Sequence, residues 1–434
     1  MNKKIVIFGG GTVYHVRNHL ALCAPAYGST AKQLAELSKE YLPNMDVDLR
    51  LTKMAGGNLE TNDDIKNEIE KIIKDDTTKV VILSSALCDF EGQVGQEKAG
   101  KYSSRLKTND IGNPIISLNT AEKIISLVRR ERKDIFLVGF KTTCGASKDE
   151  QYIAGLNLCK KSSCNLVLAN DTKTRFNMII TPEESRYCET FNRNLVLREL
   201  LTMIFHRTHL TFTRSTIIDG QPISWDSASI PNSLREVVNF CIDQNAYKPL
   251  NGVTAGHFAF KVDDNTFLTS IRKTNFNDLN KNGLVKIVTD GPDTVLAYGA
   301  KPSVGGQSQR IVFQDHKGLD CIVHFHCPKN KLSTVPSVSQ KEFECGSHEC
   351  GKNTSNGLRE FKLPSGSIYC VYLDNHGPNI VFNHNIDPKD ITNFITENFD
   401  LSQKTGGFVS IDARLNTNNV VKDFINYDTE RSFS

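Results

Sequence analysis

Lys4–Thr12 reads KIVIFGGGT: five residues with an apolar core, then three glycines and a threonine. A strand buried on both faces shows a continuous apolar run rather than alternation. The glycines that follow allow a tight turn and a close approach of the backbone to a ligand. Three later runs repeat the pattern: KVVILSSAL from Lys79, IFLVGF from Ile135 and NLVLAN from Asn165. Helical periods lie between them. Ala31, Leu34, Ala35 and Ser38 share one face, and Ile124, Ile125 and Val128 share another. Thr30 with Gln33 is a candidate capping box, and Asn119 or Thr120 a candidate cap of the second helix. Alternating strands and helices predict a doubly wound parallel sheet with Lys4–Phe8 central in it. Ligands of such sheets bind beyond the carboxyl ends of the strands. Polar groups gather there in sequence: Gly9–Thr12, Asp89, Lys141 and Asn170.

A chain of 434 residues exceeds one ordinary core and suits two domains. Net charge is only +3, which gives no electrostatic case for nucleic acid or a membrane surface. No apolar run approaches the ~20 residues that cross a bilayer. The start, MNKKIVIFGGGT, is a first strand rather than a signal peptide, because glycines interrupt the apolar core. The twelve cysteines lie mostly in apolar runs (Cys88, Cys241, Cys321, Cys370), as reduced packing residues of a cytoplasmic protein do.

Seven stretches of residues 1 to about 210 resemble the phosphopantothenoylcysteine synthetase family, in family order. They are IVIFGGGT, HVR at His15–Arg17, YGSTAKQLAE from Tyr27, SSALCDF from Ser84, GKYSS from Gly100, LVGFKTTC from Leu137 and LVLANDT from Leu166. The resemblance implies a Rossmann-like fold, in agreement with the strand–helix pattern, and a CTP- or ATP-dependent carboxylate–amine ligase working with magnesium. It places Gly10, Gly11 and Thr12 on the nucleotide phosphates, Asp89 and Phe140 against the nucleotide or acyl group, Lys101 as the phosphate counter-charge and Asn170 on the base. Lys101 and Asp89 are its candidate catalytic residues. The family's asparagine four residues past the arginine is absent, since Ala21 stands there. That departure implies a rearranged substrate loop and a changed substrate.

Residues 207–232 carry no sustained period, and a domain boundary is expected near 212, giving domains 1–212 and 213–434. Ser233 with Glu236 is a candidate capping box for a stripe of Leu234, Val237, Val238 and Cys241. Short strands follow (HFAFKV, NTFLTSI, VKIVTD, TVLAYG, CIVHFH, SIYCVYL, NIVFNH), predicting a largely antiparallel sheet with helices around it. Asp387–Pro388 marks the start of a last helix. In CIVHFH, residues i and i+2 of a strand point the same way, so His324 and His326 can share a divalent ion. The bland alternative is the polar face of an edge strand.

GHFAFKVDDNTFLTS, VKIVTDG, KPSVGGQ, IVHFHCPKN and LDNHGP, across roughly 234–410, resemble the class II aldolase/adducin family. The resemblance implies an α/β/α domain in which His324, His326 and His376 bind zinc or another divalent metal, with an open position for a substrate oxygen. The acidic residue that usually follows P-S-x is missing, because Gly305 stands there. Gly256–His257 occupies the place of the phosphate-loop asparagine. Together these imply lyase or isomerase chemistry on a small oxygenated substrate with an altered proton carrier, Glu342 and Glu344 being candidates. Cys327, Cys345, His348 and Cys350 form a looser cluster whose spacing favours a buried loop over a second zinc site. The whole chain is expected to be a bifunctional metabolic enzyme with small-molecule substrates and nucleotide as partners, no nucleic acid or membrane, and a homo-oligomeric state implied by both families. The alternatives are a zinc lyase with a degenerate nucleotide domain, or a non-catalytic small-molecule-binding scaffold.

Overall fold

The computed structural model describes residues 3–107 and 112–405; the expected second domain, to 434, runs past them. The chain divides into two compact units. The first comprises the described residues to Ile180 together with Cys188–Thr208, and the second takes in Thr181–Tyr187 and the described residues from His209 onward.

In the first unit, Ile5, Val6, Ile7 and Phe8 are fully buried, which explains the unbroken apolar run. At about 1.5–3 kcal/mol per buried side chain, this run alone contributes roughly 6–12 kcal/mol before conformational entropy is charged. Its strand, Lys3–Gly9, pairs in parallel with Met45–Leu51 on one side and Thr78–Leu83 on the other. The sheet then continues in parallel through Phe136–Thr143 and Leu166–Asp171. Asn177–Ile180 joins antiparallel, and Arg186–Thr190 closes the seven-stranded order. The predicted parallel α/β class holds, but Lys3–Gly9 is not central. It lies one strand in from the edge strand Met45–Leu51, because the later strands all add on its other side.

Helix ends differ from the sequence expectation. Ser29–Tyr41 begins after Gly28, which is left-handed at φ 73°, with no side-chain cap. Thr30 instead accepts a hydrogen bond from Arg193 at 3.0 Å. Ser117–Thr120 is a strand, so neither Asn119 nor Thr120 caps the helix Ile125–Glu131. The capping boxes that form are Thr61 with Asp64 and Ser147 with Glu150, ahead of helices Asn62–Ile73 and Lys148–Lys161. Ser233 is likewise no cap, since its hydroxyl donates to the His384 carbonyl across 151 residues.

The second unit is built on a ten-stranded, mostly antiparallel sheet. Cys321–His324 lies inside it, antiparallel to His257–Lys261 on one side and Gly377–Phe382 on the other. Alternation along this strand feeds two cores. Cys321, Val323 and Phe325 join an aromatic cluster with Trp225, Tyr247, Phe258 and Phe276, while Ile322 joins Val371, Val381 and Leu358 on the opposite face. The last helix starts as expected, with Asp387 accepting from the Lys389 N–H and Pro388 in the first turn. All twelve cysteines are free thiols. Among the described residues, no helix is long and apolar enough to cross a membrane.

Candidate metal centre and nucleotide end

Three segments of the second unit converge on one point. His324 ends its strand and is cross-strand partner of His257. His326 follows two residues later, just beyond the strand rather than within it. His376 closes a turn from Leu373, with Asn375 left-handed at φ 57°, and leads into Gly377–Phe382. Phe325, fully buried in the aromatic core, pins the segment so that the flanking imidazoles face the other way.

Two glycines let the neighbours come close. A Cβ on Gly377 would stand 2.1 Å from the Phe325 carbonyl oxygen, and one on Gly256 would stand 2.6 Å from that of His324.

The ring centroids of His324 and His326 are 5.1 Å apart, and each lies 4.6 Å from that of His376. Potential ligand atoms of the three all lie within 4.8 Å of one another, and all three side chains are buried. The His324 Nδ1–H donates to the Pro378 carbonyl at 2.7 Å, which leaves Nε2 as the lone-pair nitrogen, 3.3 Å from His376 Nε2. Burial, then the neighbouring His376 and His257, holds the His324 imidazole well below its usual range, so it stays neutral. A buried trio of imidazoles, at least one fixed in the correct tautomer, fits a divalent cation: neutral imidazole is its donor form, and no competing proton is needed.

His257 is a fourth histidine at this point. Its Nδ1 is hydrogen-bonded to the Gln309 amide, and burial, with His376 beside it, pushes it down to about 3. His257, His324, His376, Gln309, Cys345 and Cys350 line a small cavity.

The looser cysteine cluster does not form one site. Cys345 and Cys350 line the same small cavity, but Cys327 lies in the aromatic core and His348 is bonded to the Thr213 hydroxyl at 2.7 Å. Glu342 accepts from Ser339 on its own loop. The carboxylate beside the histidines is one the sequence did not point to. Glu184 Oε2 lies 3.9 Å from His326 Nδ1 and 2.7 Å from Lys404 Nζ. No spacing motif links residues 184, 326 and 404, so only the fold could find them.

The nucleotide candidates fall into separate groups. Gly9 and Gly11 have packing reasons to be glycine: an added Cβ would sit 2.2 Å from the Ala31 Cβ and 1.9 Å from the Ala24 carbonyl oxygen respectively. The Gly11 and Thr12 N–H groups donate to Ala26 and Ala86 carbonyls at 2.8 and 3.0 Å. Thr12 is fully buried, donating from its hydroxyl to Asn62 at 2.7 Å and accepting from the Cys88 N–H at 2.9 Å. Gly10 is left-handed at φ 98°.

Lys101 is paired with Glu60 at 2.6 Å, and Lys101 and Lys53 together hold that carboxyl down to about 2. Asp89 is exposed and paired with Lys123 at 2.5 Å. Phe140 and Asn170 come from adjacent parallel strands, where Asn170 accepts from Thr142 at 3.4 Å. Arg193, which the sequence reading missed, lies over the Phe140 ring at 5.8 Å and donates to Asn177 at 2.8 Å.

Residues 235–381 match the family model for the class II aldolase and adducin N-terminal domain. This class II aldolase-like stretch contains all three clustered histidines. The chain is also 30% identical over 116 residues to the coenzyme A biosynthesis bifunctional protein CoaBC of Thermococcus kodakarensis, which is 26% of this chain and 27% of that protein. The chain thus spans about a quarter of that curated relative's length. Among solved structures, a DNA/pantothenate metabolism flavoprotein of Streptococcus pneumoniae is 20% identical at TM-score 0.40, covering 46% of this chain and 98% of that one. An L-fuculose-1-phosphate aldolase of Thermus thermophilus is 18% identical at TM-score 0.30, covering 39% and 89%. The chain therefore combines a CoaBC-like part with a class II aldolase-like part.

Proposed function

We propose that this protein is a bifunctional enzyme whose aldolase-like unit performs metal-dependent lyase or isomerase chemistry on a small oxygenated substrate. The carrying observation is the buried cluster of His324, His326 and His376. These residues would hold the metal, most reasonably zinc given an all-imidazole donor set. When bound, such a metal supplies Lewis-acid polarisation of a substrate oxygen. The chain's own part is orientation and exclusion of water. Pro378 fixes the His324 tautomer, Phe325 anchors the segment, and burial keeps the His324 imidazole neutral. Elemental analysis of protein purified without added metal, beside a His376→Ala variant, tests the reading. Near-stoichiometric metal that the variant loses supports it, and equal content in both ends it.

For the first unit we propose ligase-like chemistry with CTP or ATP and magnesium, joining a carboxylate to an amine, in a homo-oligomeric cytoplasmic protein. Phe140, Asn170 and the adjoining Arg193 support a nucleotide end there. A second reading, a metal lyase with a degenerate nucleotide domain, draws on other observations. The Gly11 and Thr12 N–H groups are spent inside the fold, Lys101 is paired with Glu60, and Ala21 replaces the expected asparagine. Calorimetric titration with CTP and with ATP, each with magnesium, separates the two.

A further inference from the structure

A short segment, Thr181–Tyr187, belongs to the second unit although it lies far from the histidines in sequence. It touches the metal centre's surroundings at several points. The Glu183 carboxylate accepts from the Cys345 N–H at 2.9 Å. Ser185 donates its hydroxyl to the carbonyl of Asn375, the residue before His376. Glu184, between them, directs Oε2 to within 3.9 Å of His326 Nδ1. Lys404 pairs with the same oxygen at 2.7 Å, and the next residue's N–H, that of Thr405, donates to the His326 carbonyl at 2.9 Å. Glu184 and Lys404 side chains are 5% and 6% exposed, so this is a buried ion pair beside a histidine cluster.

Two physical points argue against a bland role. A buried ion pair seldom adds net stability, since desolvation offsets the Coulomb gain, so stability alone is a poor reason for it to be there. Glu184 is also left-handed, at φ 66°, in a tight turn where its N–H donates to the Thr181 carbonyl at 3.1 Å. Glycine or asparagine would fill such a turn at lower cost, and a bulkier residue held there points to use of its side chain.

We propose that Glu184, charge-balanced by Lys404, is the positioning residue of the metal centre: its carboxylate orients the His326 ring and strengthens metal binding. The proposal rests on the metal reading above. At 3.9 Å the carboxylate acts on Nδ1 by charge more than by a full hydrogen bond. A negative charge there favours the tautomer with its proton on Nδ1, which leaves the Nε2 lone pair for the cluster. Carboxylates that orient metal-bound histidines in this way are worth about 10–100-fold in metal affinity. Glu184 reaches the centre from a part of the chain far from the histidines in sequence.

The test compares wild type, H376A and the double variant E184Q/K404M, which removes both charges without stranding either. Affinities for zinc and cobalt(II) are measured by competition with a chelating dye, the cobalt absorption spectrum is recorded, and melting is followed in the metal-free state. The expected result is a 10–100-fold loss of affinity in the double variant, with an altered cobalt spectrum and metal-free melting within a few degrees of wild type. A merely structural role would move melting and leave the spectrum and affinity alone, and that result overturns the proposal. If wild type binds no metal, or binds it no better than H376A, the metal reading itself falls and the proposal with it.

Discussion

Gly377 lies so close to Phe325 that a single added methyl group would reach within 2.1 Å of the Phe325 carbonyl oxygen. This contact joins the His376 turn to the segment carrying His324 and His326. Gly377→Ala is therefore expected to cost roughly 2–4 kcal/mol through overpacking and backbone strain. It should also lower metal content, because the turn must retreat from the segment. Denaturant melts and elemental analysis check both. Unchanged stability would mean that the turn has room to move.

The three clustered histidines and their neighbour His257 should separate in a metal assay. His324→Ala and His376→Ala are expected to abolish metal retention on dialysis, since each removes a donor from a cluster of three. His257→Gln is expected to keep most of it, because the Gln309 amide N–H donates to His257 Nδ1, which puts the neutral ring's proton on Nε2 and leaves no lone pair for a metal. Loss of metal in all three variants would make His257 a ligand and redraw the site.

Magnesium with CTP or ATP should raise the melting temperature, because a ligand that binds only the native state stabilises it, by about 2.7 kcal/mol at a hundredfold excess over Kd. Lys101→Ala should weaken this protection if the lysine leaves Glu60 for phosphate, as the ligase reading requires. Arg193→Met should weaken it as well, through loss of the cation over Phe140. No protection at millimolar nucleotide favours the degenerate-domain reading.

Glu60 predicts a pH dependence. Lys101 and Lys53 hold its folded pKa near 2, below the ordinary value of 4.5. The unfolded chain therefore takes up the proton first as pH falls. The stabilising contribution is fully present above about pH 4.5 and is lost progressively towards pH 2. Glu60→Gln should lower the melting temperature at neutral pH and flatten the acid limb between pH 5 and 3, the two profiles converging towards pH 2. An identical acid limb in the variant would show that the pairs contribute nothing in solution.

By itself the sequence determined the strand–helix alternation of the first unit, the short-strand pattern of the second, and the pairing of His324 with His326. Each is a local or short-period signal, whereas His376 entered only through the family resemblance. An unbroken apolar run such as Lys4–Phe8 marks a strand covered on both faces, and H-x-H places two imidazoles on one side of an extended segment. The sequence misplaced features set by competition between partners. Thr30 and Ser233 have the chemistry of helix caps, but Arg193 and the His384 carbonyl claim their hydroxyls. Nor could sequence show that the Gly11 and Thr12 N–H groups are already spent, since their carbonyl partners, Ala26 and Ala86, come from other segments. Only the tertiary structure decided that Glu184 and Lys404, separated by 220 positions in the chain, meet beside His326. The reason is physical: hydrophobic periodicity fixes which face of an element is buried, whereas the meeting of buried charges depends on how distant segments pack.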